Sequence, residues 1–394
     1  MTQPSTTLKA KIHLSYLDGL RGLSCLFVLF FHLIQHQEGN LPIWITLPHK
    51  LMRYGFLGVP VFIVLSGYCL MLPVVRSQNG YIPGTLLDYF KRRARRIIPT
   101  YYAAVIFCLL IALTIYILEK FTHFQWHELP WDWFSPNFSL IDVILHFLLI
   151  HNLALRPQAF SINIPFWSVA VEWEIYFLFP LLLLPLWRFW GWWSVFSVAF
   201  VIGLIPIYLF NGVMSHTSFI YLVSFALGML GADIGFSHKP YLQWMKKSYP
   251  WPLLTIIFTV FCLLTEWQKL KIDEWVCLIF ASMATVCLTI YCTNCVSESK
   301  KLPMIAKLLE SPILIKLGAF SYSLYLTHGP VTTLVRHFLL NLQLTPTMFA
   351  VSIYLVSGGV ALVFAYLFYL VFEKPLTSTS SQARKISKYA RITH

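Results

Sequence analysis

Residues 14–33 read LSYLDGLRGLSCLFVLFFHL, a 20-residue apolar run in which Asp18, Arg21 and His32 are the only acidic or basic side chains. One helical crossing of a bilayer takes about 20 mainly apolar residues, so the run reads as a transmembrane helix. Arg21 and His32 lie eleven residues apart, almost three whole turns. Both therefore share one helix face, roughly 16 Å apart along the axis. Ionisable groups inside a span are costly and by default functional. Two readings stay open on spacing alone. One is an anion clamp near one membrane face with an acid/base group near mid-bilayer. The other is an Arg snorkelling from the helix end and a His bonded between helices.

The same apolar character extends through the chain. Of 394 residues, 58% are hydrophobic and 11% charged, against about 25% charged in soluble domains. This describes a polytopic membrane protein and excludes a soluble enzyme with an anchor. The formal net charge of +13 does not indicate nucleic acid, because the basic residues gather in loops at one membrane face. Residues 1–12 are polar, and the first apolar run lacks a small-residue cleavage site, so it reads as a retained helix. The eight cysteines fall mostly inside apolar segments and read as small hydrophobes. Cys292 and Cys295 form a lone C-x-x-C without further ligands at suitable spacing, so no metal is expected.

Ten candidate spans follow: 14–36, 55–74, 98–118, 166–187, 190–210, 217–236, 251–266, 275–293, 313–336 and 347–372. With both termini cytoplasmic, 21 Lys and Arg fall in inside segments and 7 outside or in outer helix ends, Arg21 being the remainder. That is the bias of the positive-inside rule. An eleventh apolar stretch, 140–153, contains His146, His151 and Asn152. If it spanned, Lys239, Lys246, Lys247 and the basic tail would face outward, so it reads as re-entrant or interfacial. The expected architecture is an all-α transmembrane bundle in one domain, 1–374, followed by a basic cytoplasmic tail, 375–394, disordered or lying on anionic lipid.

Six segments carry polar groups into this bundle. Asp18 and Arg21 are spaced to pair on one face, and Gly19 and Gly22 allow close helix approach. Ser66 and Gly67 read as packing residues. Lys91, Arg92, Arg93, Arg95 and Arg96 precede the third span. They read either as a topology signal at lipid headgroups or as a phosphate site, with Arg92 and Arg96 able to face one ligand. Glu172 and Glu174 stand among aromatics and, two apart, point to different faces. Ser321, Tyr325 and His328 share a helix face that either bonds neighbouring helices or lines a cavity. Glu373 and Lys374 read as an end-of-helix ion pair before Pro375.

Together these segments resemble the acyltransferase family 3 of integral membrane O-acyltransferases. The resemblance is carried by Asp18, Gly19, Arg21, Gly22 and His32, by Val61–Tyr68, Arg92–Tyr101, Phe166–Pro180 and Ser321–His328, and by Tyr369–Pro375. It covers essentially the whole chain. The chain departs from the family at Phe62-Ile63, where two Phe are common, and at Glu172-Trp173-Glu174, where Glu-x-Gln is common. The resemblance implies transfer of an acyl group, commonly acetyl, from cytoplasmic acyl-coenzyme A to a hydroxyl of a carbohydrate or glycoside acceptor. It implies His32 and Arg21 as the catalytic pair and Arg92, Arg93 and Arg96 as donor-binding. Glu172 is taken as a third catalytic candidate on the acceptor side, and Asp18, Ser321, Tyr325 and His328 as cavity lining. No bound cofactor is expected; the donor is a co-substrate. Some relatives carry an extracytoplasmic hydrolase-like domain after the tenth span; none follows here, so the expectation is that the membrane domain acts alone or with a separate transferase partner. The rival class is a transporter or flippase with a polar intramembrane cavity.

Overall fold

The computed structural model describes residues 14–36, 41–77, 79–154, 156–209, 219–267, 270–298 and 302–376. The tail expected at 375–394 lies almost entirely outside these. Among the described residues the chain is helical, without strands beyond one isolated bridge between Phe134 and Asn163. The helices are α1 (Ser15–Gln35), α2 (Ile43–Met52), α3 (Gly58–Val75), α4 (Leu86–Phe121), α5 (Leu140–Leu148), α6 (Arg156–Ala159), α7 (Phe166–Leu178), α8 (Leu184–Tyr208) and α9 (Tyr221–Phe236). There follow α10 (Pro240–Ser248), α11 (Trp251–Thr265), α12 (Glu274–Ser297), α13 (Met304–Leu309), α14 (Pro312–Ala319), α15 (Ser321–Leu340), α16 (Pro346–Ser352) and α17 (Gly358–Phe368).

Six helical runs are long and apolar enough to cross a membrane, or seven when the bent pair α10 and α11 counts as one. Ten were expected, and the difference has physical causes. Residues 166–208 form one run of 43 residues. At 1.5 Å per residue this is about 65 Å, twice the roughly 30 Å hydrocarbon core. It breaks at Gly191, whose φ of 77° and ψ of −166° suit only glycine, so the run holds both expected segments, 166–187 and 190–210. Helix α9 has only 16 residues and is buried along nearly its whole length. Helix α15 is long enough but too polar, with Ser323, Thr327, His328, Thr332, Thr333 and Arg336 all buried in protein. Its polar stripe faces neighbouring helices and not lipid, as the cost of polar groups in hydrocarbon requires.

The stretch 140–153 does not span. Helix α5 has nine residues, about 14 Å of rise. It is opened by a capping box between Ser139 and Asp142 and stopped by Leu149 at φ 56°. Leu140, Ile141, Ile144 and Leu148 are exposed, while Asp142 and His146 are buried. That amphipathic division fits a half-inserted segment.

Small residues set the close packing. A Cβ on Gly67 would sit 2.1 Å from the Phe225 carbonyl oxygen, so α3 and α9 touch backbone to backbone. A Cβ on Gly19 would meet the Leu309 carbonyl at 1.7 Å, which seats α1 against α13 as the small-residue spacing predicts.

Candidate functional site

A cavity of about 680 Å³ of empty space, its open mouth included, lies between α1, α3, α4, α7 and α15. Arg21 and Arg96 supply its cations, Glu172 its carboxylate, and Ser66, Ser168, Tyr176, Ser321, Tyr322 and Tyr325 its hydroxyls. Residues from five separate sequence segments therefore meet in one place. Arg21 Nη1 donates to Asp18 Oδ1 at 2.8 Å, and Nη2 donates to the Cys69 sulfur at 3.1 Å. Asp18 itself is not part of the wall.

Glu172 Oε1 accepts from Ser66 Oγ at 2.5 Å and from Tyr176 OH at 2.6 Å. Ser66 is thus a hydrogen-bonding wall residue and not the packing residue its sequence context suggested. Glu174 turns away and its Oε2 accepts from Asn152 Nδ2 at 3.1 Å, so the two carboxylates occupy different faces as their spacing requires. Of the basic cluster, Arg96 enters the main cavity. Arg92 and Arg93 line a second one of about 570 Å³ with Cys69 and Tyr89. Cys69, on that second wall, is the partner of Arg21 on the first.

His32 and His328 do not line the main cavity. They meet beyond it, His32 Nδ1 to His328 Nε2 at 2.6 Å, with ring planes 5° apart. The proton positions follow from their partners. His328 Nδ1 lies 3.1 Å from the Leu324 carbonyl, and a carbonyl can only accept, so Nδ1 carries the hydrogen. Neutral His328 then accepts at Nε2, His32 donates from Nδ1, and the lone pair of His32 lies on Nε2. Among the described residues that Nε2 makes no hydrogen bond. Tyr325 stands between the cavity and the dyad: its hydroxyl is 2.6 Å from Ser168 Oγ and its ring centroid 5.8 Å from that of His328.

A further residue went unread in the sequence. Trp133 packs its indole over the His32 imidazole, centroids 3.8 Å apart, and donates from Nε1 to the His32 carbonyl at 3.3 Å. It comes from an aperiodic loop, so no spacing signals it. Glu373 also makes a contact that its sequence context did not signal. Its Oε2 accepts from the Ser323 amide at 3.2 Å and the Ser323 hydroxyl at 2.6 Å, capping the start of α15. Among the described residues no group of three or more His, Cys, Asp or Glu is placed to hold a metal.

Comparison with known proteins gives a consistent picture. A family model described as an acyltransferase domain matches residues 14–370. The chain is 22% identical over 410 residues to the O-acetyltransferase OatA of Staphylococcus aureus strain MRSA252, covering 96% of this chain and 60% of that protein. It has the same identity and coverage with OatA of strain NCTC 8325 / PS 47. The chain thus spans about 60% of the length of these curated relatives. No solved structure matches.

Proposed function

The chain belongs to acyltransferase family 3, and from that premise we propose that it transfers an acyl group, in the first place acetyl, from acyl-coenzyme A to a hydroxyl of a sugar-containing acceptor. The acceptor class comprises surface polysaccharide, lipid-linked glycan and glycoside. The carrying observation is the convergence of Arg21, Arg96 and Glu172 on one cavity beside the His32–His328 pair. The protein is a multi-pass membrane acyltransferase; its placement in the cell membrane with both termini cytoplasmic belongs to this proposal and rests on the 21-to-7 basic bias.

In this reading Arg92, Arg93 and Arg96 hold the donor's phosphates at the cytoplasmic mouth, where planar guanidinium groups suit them. Arg21 provides the next cation inward. His32 Nε2 takes the acceptor's hydroxyl proton as that oxygen attacks the thioester carbonyl. The carbon–sulfur bond breaks, and His32 returns the proton to the departing thiolate. His328 fixes the tautomer and the ring plane, the role an orienting partner plays for a catalytic imidazole. Glu172, expected on the acceptor side, shares its wall with Arg21 and Arg96 on the donor's side of the His32–His328 pair, where it accepts from Ser66 and Tyr176.

Purified protein in vesicles, given isotopically labelled acetyl-coenzyme A and a glycan acceptor fraction, should produce labelled ester together with free coenzyme A. Movement of a substrate across the membrane without coenzyme A release would replace this reading by the transporter.

A further inference from the structure

Residues 126–134 lie across the end of α1 and are held there from several sides. Trp133 covers the His32 ring and bonds the His32 carbonyl. Its backbone N–H donates to Thr333 Oγ1 at 3.1 Å. Arg336 Nη1 donates to the Pro130 carbonyl at 2.7 Å and to Asp132 Oδ1 at 3.0 Å. His337 Nε2 lies 2.9 Å from Asp132 Oδ2, and its ring stacks on Trp126 at 4.0 Å. His36 Nε2 donates to the Trp131 carbonyl at 3.1 Å.

The segment is also strained. Trp131 has φ 67° and Ile162, in the chain it pairs with, φ 63°. Bulky residues seldom adopt the left-handed region, and such strain persists only where surrounding contacts impose it. The second anchor has a simple origin. Pro330 has no N–H to bond the Leu326 carbonyl one turn back, and Asn163 Nδ2 takes that carbonyl at 2.9 Å. Asn163 in turn bridges to Phe134. His32 is thereby enclosed, by His328 on one side and by Trp133 on the other, and is only 8% exposed.

We propose that residues 126–134 are an acceptor-side gate latched by Asp132 to Arg336 and His337, and that Trp133 is a positioning residue which, with the gate shut, holds His32 in place and keeps water from the acyl donor. This rests on the acyl-transfer reading above. The gate lifts to admit the acceptor and closes for transfer, as lids that exclude water from a reactive donor do. When it fails, water replaces the acceptor: its oxygen bonds the thioester carbonyl carbon, the carbon–sulfur bond breaks, and free acid and coenzyme A thiol leave.

The measurement is coenzyme A release with and without acceptor, compared with ester formed. Wild type should release little without acceptor. Asp132→Asn, which removes the latch charge without touching His32, should raise acceptor-independent release by about tenfold, the effect on an equilibrium of losing about 1.4 kcal/mol. Trp133→Ala should raise it further and lower transfer, whereas Trp133→Phe, which keeps a ring over His32, should recover most of the transfer-to-hydrolysis ratio. Folded Asp132→Asn and Trp133→Phe proteins, checked by gel filtration, keep the test open if Trp133→Ala does not assemble. Ratios unchanged in folded variants overturn the gate while leaving the transferase intact. A wild type that neither transfers nor releases coenzyme A overturns the acyl-transfer reading and the gate with it.

Discussion

His328 stands 2.6 Å from His32, Nε2 to Nδ1, with its own Nδ1 committed to the Leu324 carbonyl. One backbone carbonyl therefore decides which atom of His32 can accept a proton. His32→Gln keeps a donor toward His328 but has no titratable lone pair, so acyl transfer should fall by about 10²–10⁴. His328→Ala releases the tautomer and should lower kcat by about 10–100-fold, with the donor KM unchanged. Steady-state kinetics of the two variants test this. A near-normal His32→Gln protein would remove the general base.

The basic cluster should separate by position. Arg96 shares the main cavity with Arg21, while Arg92 and Arg93 line the neighbouring one. Each Ala substitution should weaken acyl-coenzyme A binding, measured as thermal protection by coenzyme A. Equal protection of all three variants and wild type would leave the cluster only its topology role.

Packing gives a prediction independent of chemistry. Gly67→Val places side-chain atoms where the Phe225 carbonyl already stands 2.1 Å from a Cβ. Overpacking of this kind costs about 1–3 kcal/mol or more, so the variant should show a lower Tm in detergent than Ser66→Ala, whose loss is confined to one hydrogen bond to Glu172. A stable Gly67→Val protein would mean that α3 and α9 are not in backbone contact.

Sidedness is testable at exposed positions. Tyr241 and Asn137 are both exposed, whereas Leu242 is buried and unsuited to labelling. In a cysteine-free background, Tyr241→Cys should react only after permeabilisation and Asn137→Cys in intact cells. Reversed labelling would invert the topology.

Asp132 gives a pH dependence. Burial pushes its carboxyl up, but hydrogen bonds from His337 and the Leu129 amide, with the Arg336 charge, outweigh this and hold it below its ordinary value. A lowered native pKa means the latch is at full strength above the ordinary carboxylate value of about 3.9 and is lost as pH falls through the lower native one. Acceptor-independent coenzyme A release should therefore climb in that acid range in wild type and stay flat in Asp132→Asn. Identical acid profiles would detach Asp132 from the effect.

The sequence carried the membrane character, the placement of most spans and the polar segments, because apolar length and charge bias are local quantities. It also put Glu172 and Glu174 on separate faces. Three-dimensional partners were not legible. Nothing near His32 indicates that its ring meets a residue 296 positions away, or that Glu373 bonds Ser323, 50 positions away. Arg21 and His32 share a helix face, yet only Arg21 reaches the cavity, because Tyr325 comes in from α15 beside His328, and the position of α15 depends on the whole bundle. The break at Gly191 has no sequence signal beyond the glycine itself, because the turn between two adjacent spans needs only that one residue.

A short amphipathic helix such as α5, lying at the membrane as the expected topology has it, acts on the lipid as well as on the protein. Leu140, Ile141, Ile144 and Leu148 offer hydrocarbon contact on a helix only about 14 Å long. Lipid tails beside it have no full-length partner and must shorten or tilt, and a bilayer meets such mismatch by thinning locally. Under the proposed topology the headgroup plane is drawn inward along this flank, and a lipid-linked acceptor of the proposed reaction has a shorter way to travel into the protein here than elsewhere.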